Sequence, residues 1–323
     1  MSSRTVGLLA MTTALVCWTG FALSIRGIGT SSLTPADVAV LRFAVPLLVL
    51  SPWIPRTWRR LRTERPLVVL ALCAGAAPHF VASAIGGHLT SAALVGSVIP
   101  GVVPLFVAGL ASLIWRVRTS PVQLLGLLVI VAGVVVSVLT VGSGAQAAGV
   151  AALAVAGLAW SVYTLALRAT GLDPVGAALT VCTACLIGAL LAIGIGITPS
   201  HLFPATATVS DVVLYGLVQG VGVGVLASLG YTIAVRRLGA EPAATLSAIS
   251  PVLVTLAAIP MFGERPTAAT LASVGLFIAG VLVFNLAGLR AARRAARFRP
   301  RAPLPEMPGA TDTAAAPRRP PSP

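Results

Sequence analysis

Few side chains in this sequence are placed to do chemistry. Cys182-Thr-Ala-Cys185 sets two thiols three residues apart, a spacing that brings both sulfurs to one face of a helix. A redox or zinc site built on that pair needs a histidine, lysine or further cysteine, and the sequence supplies none to complete it. The four cysteines, Cys17, Cys73, Cys182 and Cys185, therefore read as small packing residues, with no disulfide framework, no metal site and no cofactor implied. The run Gln219-Gly-Val-Gly-Val-Gly224 has the composition of a phosphate loop but lacks the preceding strand and the lysine. Glycines so spaced fit close helix packing instead.

The solvent around these groups decides what they can do. Hydrophobic residues make up 57% of the chain and charged ones only 9%, with a mean hydropathy of +0.98, so most of it is expected in lipid. Apolar runs of spanning length fall near 6–25, 36–54, 67–86, 91–115, 121–141, 148–167, 175–197, 212–235, 241–262 and 267–289. The expected fold is an all-α integral membrane protein of ten transmembrane helices, with the first run read as an uncleaved helix rather than a signal segment. No catalytic residue and no soluble catalytic domain is expected.

All 22 basic residues are arginines, and 19 of them fall in the N-terminus, alternate loops and the tail. The opposite side holds Arg26 and Arg265, and Arg42 stands inside the second span. That asymmetry puts both termini in the cytoplasm. It also explains the net charge of +14 without nucleic acid as a partner. The segment 290–323, rich in Arg, Pro and Ala, reads as a disordered cytoplasmic tail whose first part rests on anionic headgroups. Arginine in place of lysine throughout points to a GC-rich bacterial genome, hence to a bacterial inner membrane.

The eight acids, Asp37, Glu64, Asp173, Asp211, Glu241, Glu264, Glu306 and Asp312, all fall in loops, at span ends or in the tail. No carboxylate is expected at mid-membrane to relay a cation. What remains inside is Arg42, His79 and Gln219, with Trp18 and Phe21 in the first span, Trp160 and Tyr163 in the sixth, and Tyr231 in the eighth. Arg42 either snorkels to the outer headgroups or attracts an anionic substrate. His79 titrates near neutrality in water, so it is the candidate for proton coupling or for substrate bonding; its alternative is a neutral ring bonded to a carbonyl freed by Pro78. The aromatics fit either an interfacial belt or a cavity wall.

The chain also repeats itself. Residues 104–120, PLFVAGLASLIWRVRTS, meet the stretch beginning PVLVTLAAIP at 251 with a constant offset of 147, which aligns Pro104 with Pro251 and Arg118 with Arg265. A second echo at offset 142 aligns Trp18 with Trp160 and Arg26 with Arg168. Two halves of five spans each, 1–141 and 148–289, must enter the membrane from opposite sides, so they form inverted repeats. Pro251, and Pro104 with Pro100, are expected to break the ninth and fourth helices at corresponding points, the sequence sign of a central binding site. Glu264 and Arg265 are expected to form a local ion pair.

Ten spans in two halves, a Trp in the first helix of each, and the ending Ser250-Pro251 through Phe262-Gly263-Glu264-Arg265-Pro266-Thr267 resemble the EamA-type branch of the drug/metabolite transporter superfamily. The likeness covers about residues 6–288. Arg116-Val117-Arg118 departs from it, standing where Gly-Glu-Arg is usual. The resemblance implies a secondary transporter, an exporter as in much of that family, moving a small organic metabolite such as an amino acid, a related compound or a drug-like molecule. Candidate cavity residues are Trp18, Phe21, Arg42, His79, Pro104, Trp160, Tyr163, Gln219, Tyr231 and Pro251. The expected partners are that small molecule, a coupling proton and the lipid bilayer. An intramembrane lipid-handling enzyme and a non-transporting scaffold stay open as alternatives, as does the oligomeric state.

Overall fold

A computed structural model describes residues 2–116, 118–139 and 143–297, and among them there are helices but no strands. In chain order the helices are α1 (Ser3–Gly27), α2 (Pro35–Val49), α3 (Ile54–Leu61), α4 (Pro66–Leu89), α5 (Ala92–Trp115), α6 (Pro121–Leu139) and α7 (Gly144–Ala169). They continue with α8 (Pro174–Gly194), α9 (Val209–Tyr215), α10 (Ser228–Leu238), α11 (Ala240–Ser247), α12 (Ser250–Phe262) and α13 (Ala268–Arg297). A π-helical segment, Gly216–Ala227, joins α9 to α10 without a break. Prolines open α2, α4, α6 and α8, where the missing amide hydrogen is no loss.

Eight helices among the described residues are long and apolar enough to cross a bilayer. A ninth is counted if α2 and α3, bent by 64° between them, form one span. The run expected to cross at 241–262 is instead divided into α11 and the 13-residue α12. Pro251 lies in the first turn of α12, so the break expected there is present. The matching break is not: α5 runs unbroken through Pro100 and Pro104, gripped by α7, α12, α13 and α1. A further difference lies at the far end, where α13 continues to Arg297, eight residues into the segment expected to be disordered. Alanine and arginine favour helix once one has started. The rest of that tail lies outside the described residues.

Packing follows the repeat. Numbering the expected spans one to ten, α4 lies on α7 (third on sixth) and α1 on α10 (first on eighth), two contacts exchanged when each span is swapped for the one five places away. The pairs α2–α8, α5–α12 and α6–α13 map onto themselves. Helices approach closely where side chains are absent. A Cβ on Gly75 would stand 2.5 Å from the Tyr163 amide nitrogen and 2.7 Å from the Ala159 carbonyl, so α4 and α7 touch backbone to backbone.

Loops tie the halves together at both ends. Asp37, at the start of α2, accepts from the Thr34 and His201 amides and from the Ser200 hydroxyl, the latter two in the loop after α8. Reciprocally Asp173, the cap of α8, meets Arg56 at 3.0 Å and Arg60 at 3.9 Å on α3. Asp211 accepts from the Ser32 amide, and Glu64 from the Gly171 amide. Glu264 does not pair with its neighbour Arg265. After Gly263, whose φ of 62° turns the chain, its carboxylate accepts from the Ala92 amide at 2.8 Å and faces Arg26 Nε at 3.6 Å. Unpaired amides make the start of α5 attractive to an anion, which decides between the two arginine partners.

Candidate functional site

Arg42 sits seven residues into α2, about 10 Å from its start at 1.5 Å per residue. On insertion scales an arginine at the helix centre costs about 3 kcal/mol, so its surroundings should offset that cost. They do so without an acid. The guanidinium donates from Nη1 to Gln219 Oε1, and its carbon lies 5.1 Å from the centre of the Phe21 ring and 5.8 Å from those of Phe43 and Phe80. The arginine therefore turns inward rather than snorkelling to headgroups. No ion pair to Arg42 occurs among the described residues.

Gln219 is fully buried and uses both ends of its amide. Its oxygen must face the arginine, which only donates, and its nitrogen then donates to Ser24 Oγ at 2.7 Å. Ser24 Oγ donates in turn to the Phe21 carbonyl at 2.9 Å, and Tyr215 Oη donates to the Ser24 carbonyl at 3.1 Å. The π segment places Gln219 there. Its i to i+5 winding is rare and concentrates at functional sites, and here Gly220 admits Val45 of α2 against its backbone.

From Arg42 a file of rings leads away. Phe21 stacks on His79 at 5.7 Å between centres, His79 lies 5.0 Å from Trp160, and Trp160 5.1 Å from Tyr163. His79 is buried, and its Nδ1 donates to the Ala156 carbonyl of α7 at 3.0 Å. The bond thus goes across to another helix, not to a carbonyl freed by Pro78. That bond fixes a neutral ring's tautomer, leaving Nε2 as acceptor. Trp160 remains 38% exposed, and Phe21, Arg42 and Tyr163 are half-buried, so the file presents open surface.

Six of the ten residues singled out from sequence are thereby in one continuous chain: Gln219, Arg42, Phe21, His79, Trp160 and Tyr163. Trp18 and Tyr231 form a separate pair, 5.3 Å between centres, beside the small core of Met11, Leu15, Ala234 and Ala243. Pro104 and Pro251 lie on α5 and α12 outside the chain of contacts. Sequence reading missed Ser24, Phe43, Phe80 and Tyr215. Ser24, one turn after Phe21, and Phe43, adjoining Arg42, were the available signals. Among the described residues no three His, Cys, Asp or Glu side chains are grouped to hold a metal.

Beside this file a space of about 990 Å³ opens between α2, α4 and α8. Ala36, Ala77, Cys73, Cys185 and Gly188 line it, with Phe43 and Phe80, whose rings meet edge to face at 6.1 Å. Arg42 lies over both rings and is not part of the lining.

Comparison with known proteins gives a family match over both halves. The profile described as the EamA-like transporter family matches residues 5–139 and 147–286. No curated protein matches the chain. One solved structure, described only as the crystal structure of a protein, is similar with a TM-score of 0.58 and 21% identity, over 89% of this chain and 99% of its own. That likeness shows the fold alone.

Proposed function

The chain belongs to the EamA-like transporter family, and from that premise we propose that it is a secondary transporter exporting a small organic metabolite by alternating access. In this reading ten spans form two inverted five-helix halves, 1–141 and 148–289, in a bacterial inner membrane with both termini cytoplasmic. The distribution of arginines supports that orientation.

One observation carries the functional reading: the polar and aromatic file is built from both repeats. Phe21, Arg42 and His79 come from the first, and Trp160, Tyr163 and Gln219 from the second. Transporters of repeated design bind their solute at such a junction, because relative movement of the halves then opens it to either side. His79 is the proposed proton carrier. The acids of described position stand at helix ends, so a lipid-modifying enzyme has no carboxylate pair at depth to work with.

The test is solute counterflow into proteoliposomes across a panel of amino acids, organic acids, nucleobases and amines, repeated with and without a proton gradient. Accumulation of one class by wild-type protein, lost in Trp160→Ala, is the expected result. Leakage equal to empty vesicles for every solute would remove the transport reading.

A further inference from the structure

Arg42 is the one charged group in the ring file, and what answers its charge is the question. All five acids whose side chains are described are occupied elsewhere. Asp37 is bound to Thr34, Ser200 and His201, Glu64 to Gly171, Asp173 to Arg56 and Arg60, Asp211 to Ser32, and Glu264 to Ala92 and Arg26. Gln219 satisfies one donor of the guanidinium with a neutral oxygen, and among the described residues no acid compensates its charge. The rings of Phe21, Phe43 and Phe80 attract the cation weakly and offer it no lone pair.

From this we infer that the transported solute is a small organic anion, a carboxylate on a flat apolar body, and not a zwitterion or a cation. The inference rests on the transporter reading above and narrows it. Arginine presents donors in a planar fork that fits a carboxylate with two parallel bonds. The half-buried Arg42 has donors to spare for it. Beyond the guanidinium, His79, Trp160 and Tyr163 offer ring faces and one acceptor nitrogen, Nε2 of a neutral His79. No described carboxylate borders the file to receive an ammonium group. A bound anion completes the pair with Arg42 and carries no second charge in need of a partner, whereas an amino acid brings one.

Three solutes of one shape and different charge decide it: 3-phenylpropanoate, phenylalanine and 2-phenylethylamine. Binding to the purified full-length protein is read from tryptophan fluorescence, with Trp160 as the reporter in the file, and from calorimetry. The propanoate is expected to bind at least about tenfold more tightly than phenylalanine, a difference of about 1.4 kcal/mol. The amine is expected not to bind. Arg42→Gln should weaken the propanoate by about 30-fold or more, with partial recovery in Arg42→Lys. The comparison in wild-type protein needs no variant, so misfolding of Arg42→Gln does not spoil the test. Equal affinity for phenylalanine or the amine, or no binding of any of the three, overturns the assignment. So does stabilisation by an anionic phospholipid with no response to the soluble carboxylate. Counterflow separates the two claims: propanoate that binds through Arg42, with no solute of the panel carried above empty vesicles, sinks the transporter reading and keeps the anion site. Carriage of the amine, unchanged in Arg42→Gln, does the reverse.

Discussion

Arg26 at the end of α1 and Glu264 after α12 face each other at 3.6 Å, with the Glu264 side chain only 13% exposed. The same carboxylate caps the start of α5, so one residue joins three helices. Glu264→Ala removes both interactions and is expected to cost about 2 kcal/mol. Glu264→Gln keeps an acceptor for the Ala92 amide and should lose about half as much. Thermal melting of the three proteins in one detergent measures the order. Equal melting temperatures for wild type and Glu264→Ala would show the contact to be idle.

The Arg42–Gln219 contact predicts a strong coupling. Gln219→Leu leaves the guanidinium without its neutral acceptor and Ser24 without its donor, at an expected cost of about 2–3 kcal/mol. Removing the charge as well should restore part of that, so Arg42→Leu with Gln219→Leu is less damaging than the sum of the two. A double-mutant cycle on denaturation free energies reads the difference. Simple additivity would mean that the two side chains do not support each other.

Backbone approach at Gly75 makes it intolerant. A methyl group there meets the Tyr163 amide nitrogen and the Ala159 carbonyl, neither of which can turn aside. Gly75→Ala should cost about 2–3 kcal/mol and lower folded yield. Gly109, in the same kind of apolar helix, has open space where its Cβ would stand, so Gly109→Ala should be neutral or slightly stabilising. Paired melting curves check the contrast.

The space between α2, α4 and α8 predicts selective labelling. Cys73 lines it and is half-buried, whereas Cys182 is buried and outside it. In a protein retaining only Cys73, a lipid-soluble maleimide should react in the folded state. With only Cys182, reaction should wait for unfolding. Gly188→Trp, at a lining position with nothing within 4 Å, should slow Cys73 labelling by about tenfold, about 1.4 kcal/mol of barrier.

Much of this site could be read from sequence because lipid makes polar residues conspicuous. Arg42, His79 and Gln219 stood out as interruptions in apolar runs, and burial costs drew them to partners. The repeat aligned Trp160 with Trp18 but left the aromatics open between an interfacial belt and a cavity wall; the contact of Trp160 with His79 of the first half comes from the packing of α4 on α7. Arg26 was different: its partner lies 238 residues away and is chosen by the open amides of α5, which no local pattern shows. The π winding also escaped notice, since the glycines from 216 to 224 speak equally for close packing in an ordinary helix. Pro104 misled, because aligned prolines were expected to act alike while the packing around α5 holds it continuous.

The crossed ties at the helix starts bear on how the chain is made. Asp37 opens α2 with help from the loop after α8, and Asp173 opens α8 beside arginines of α3. While the first half is being synthesised, Asp37 has no Ser200 or His201 to bind and must await its other half. Neither half carries all the groups that finish its own helix starts. Each is a template that only the other half completes, so two halves expressed as separate chains should assemble together yet fail alone.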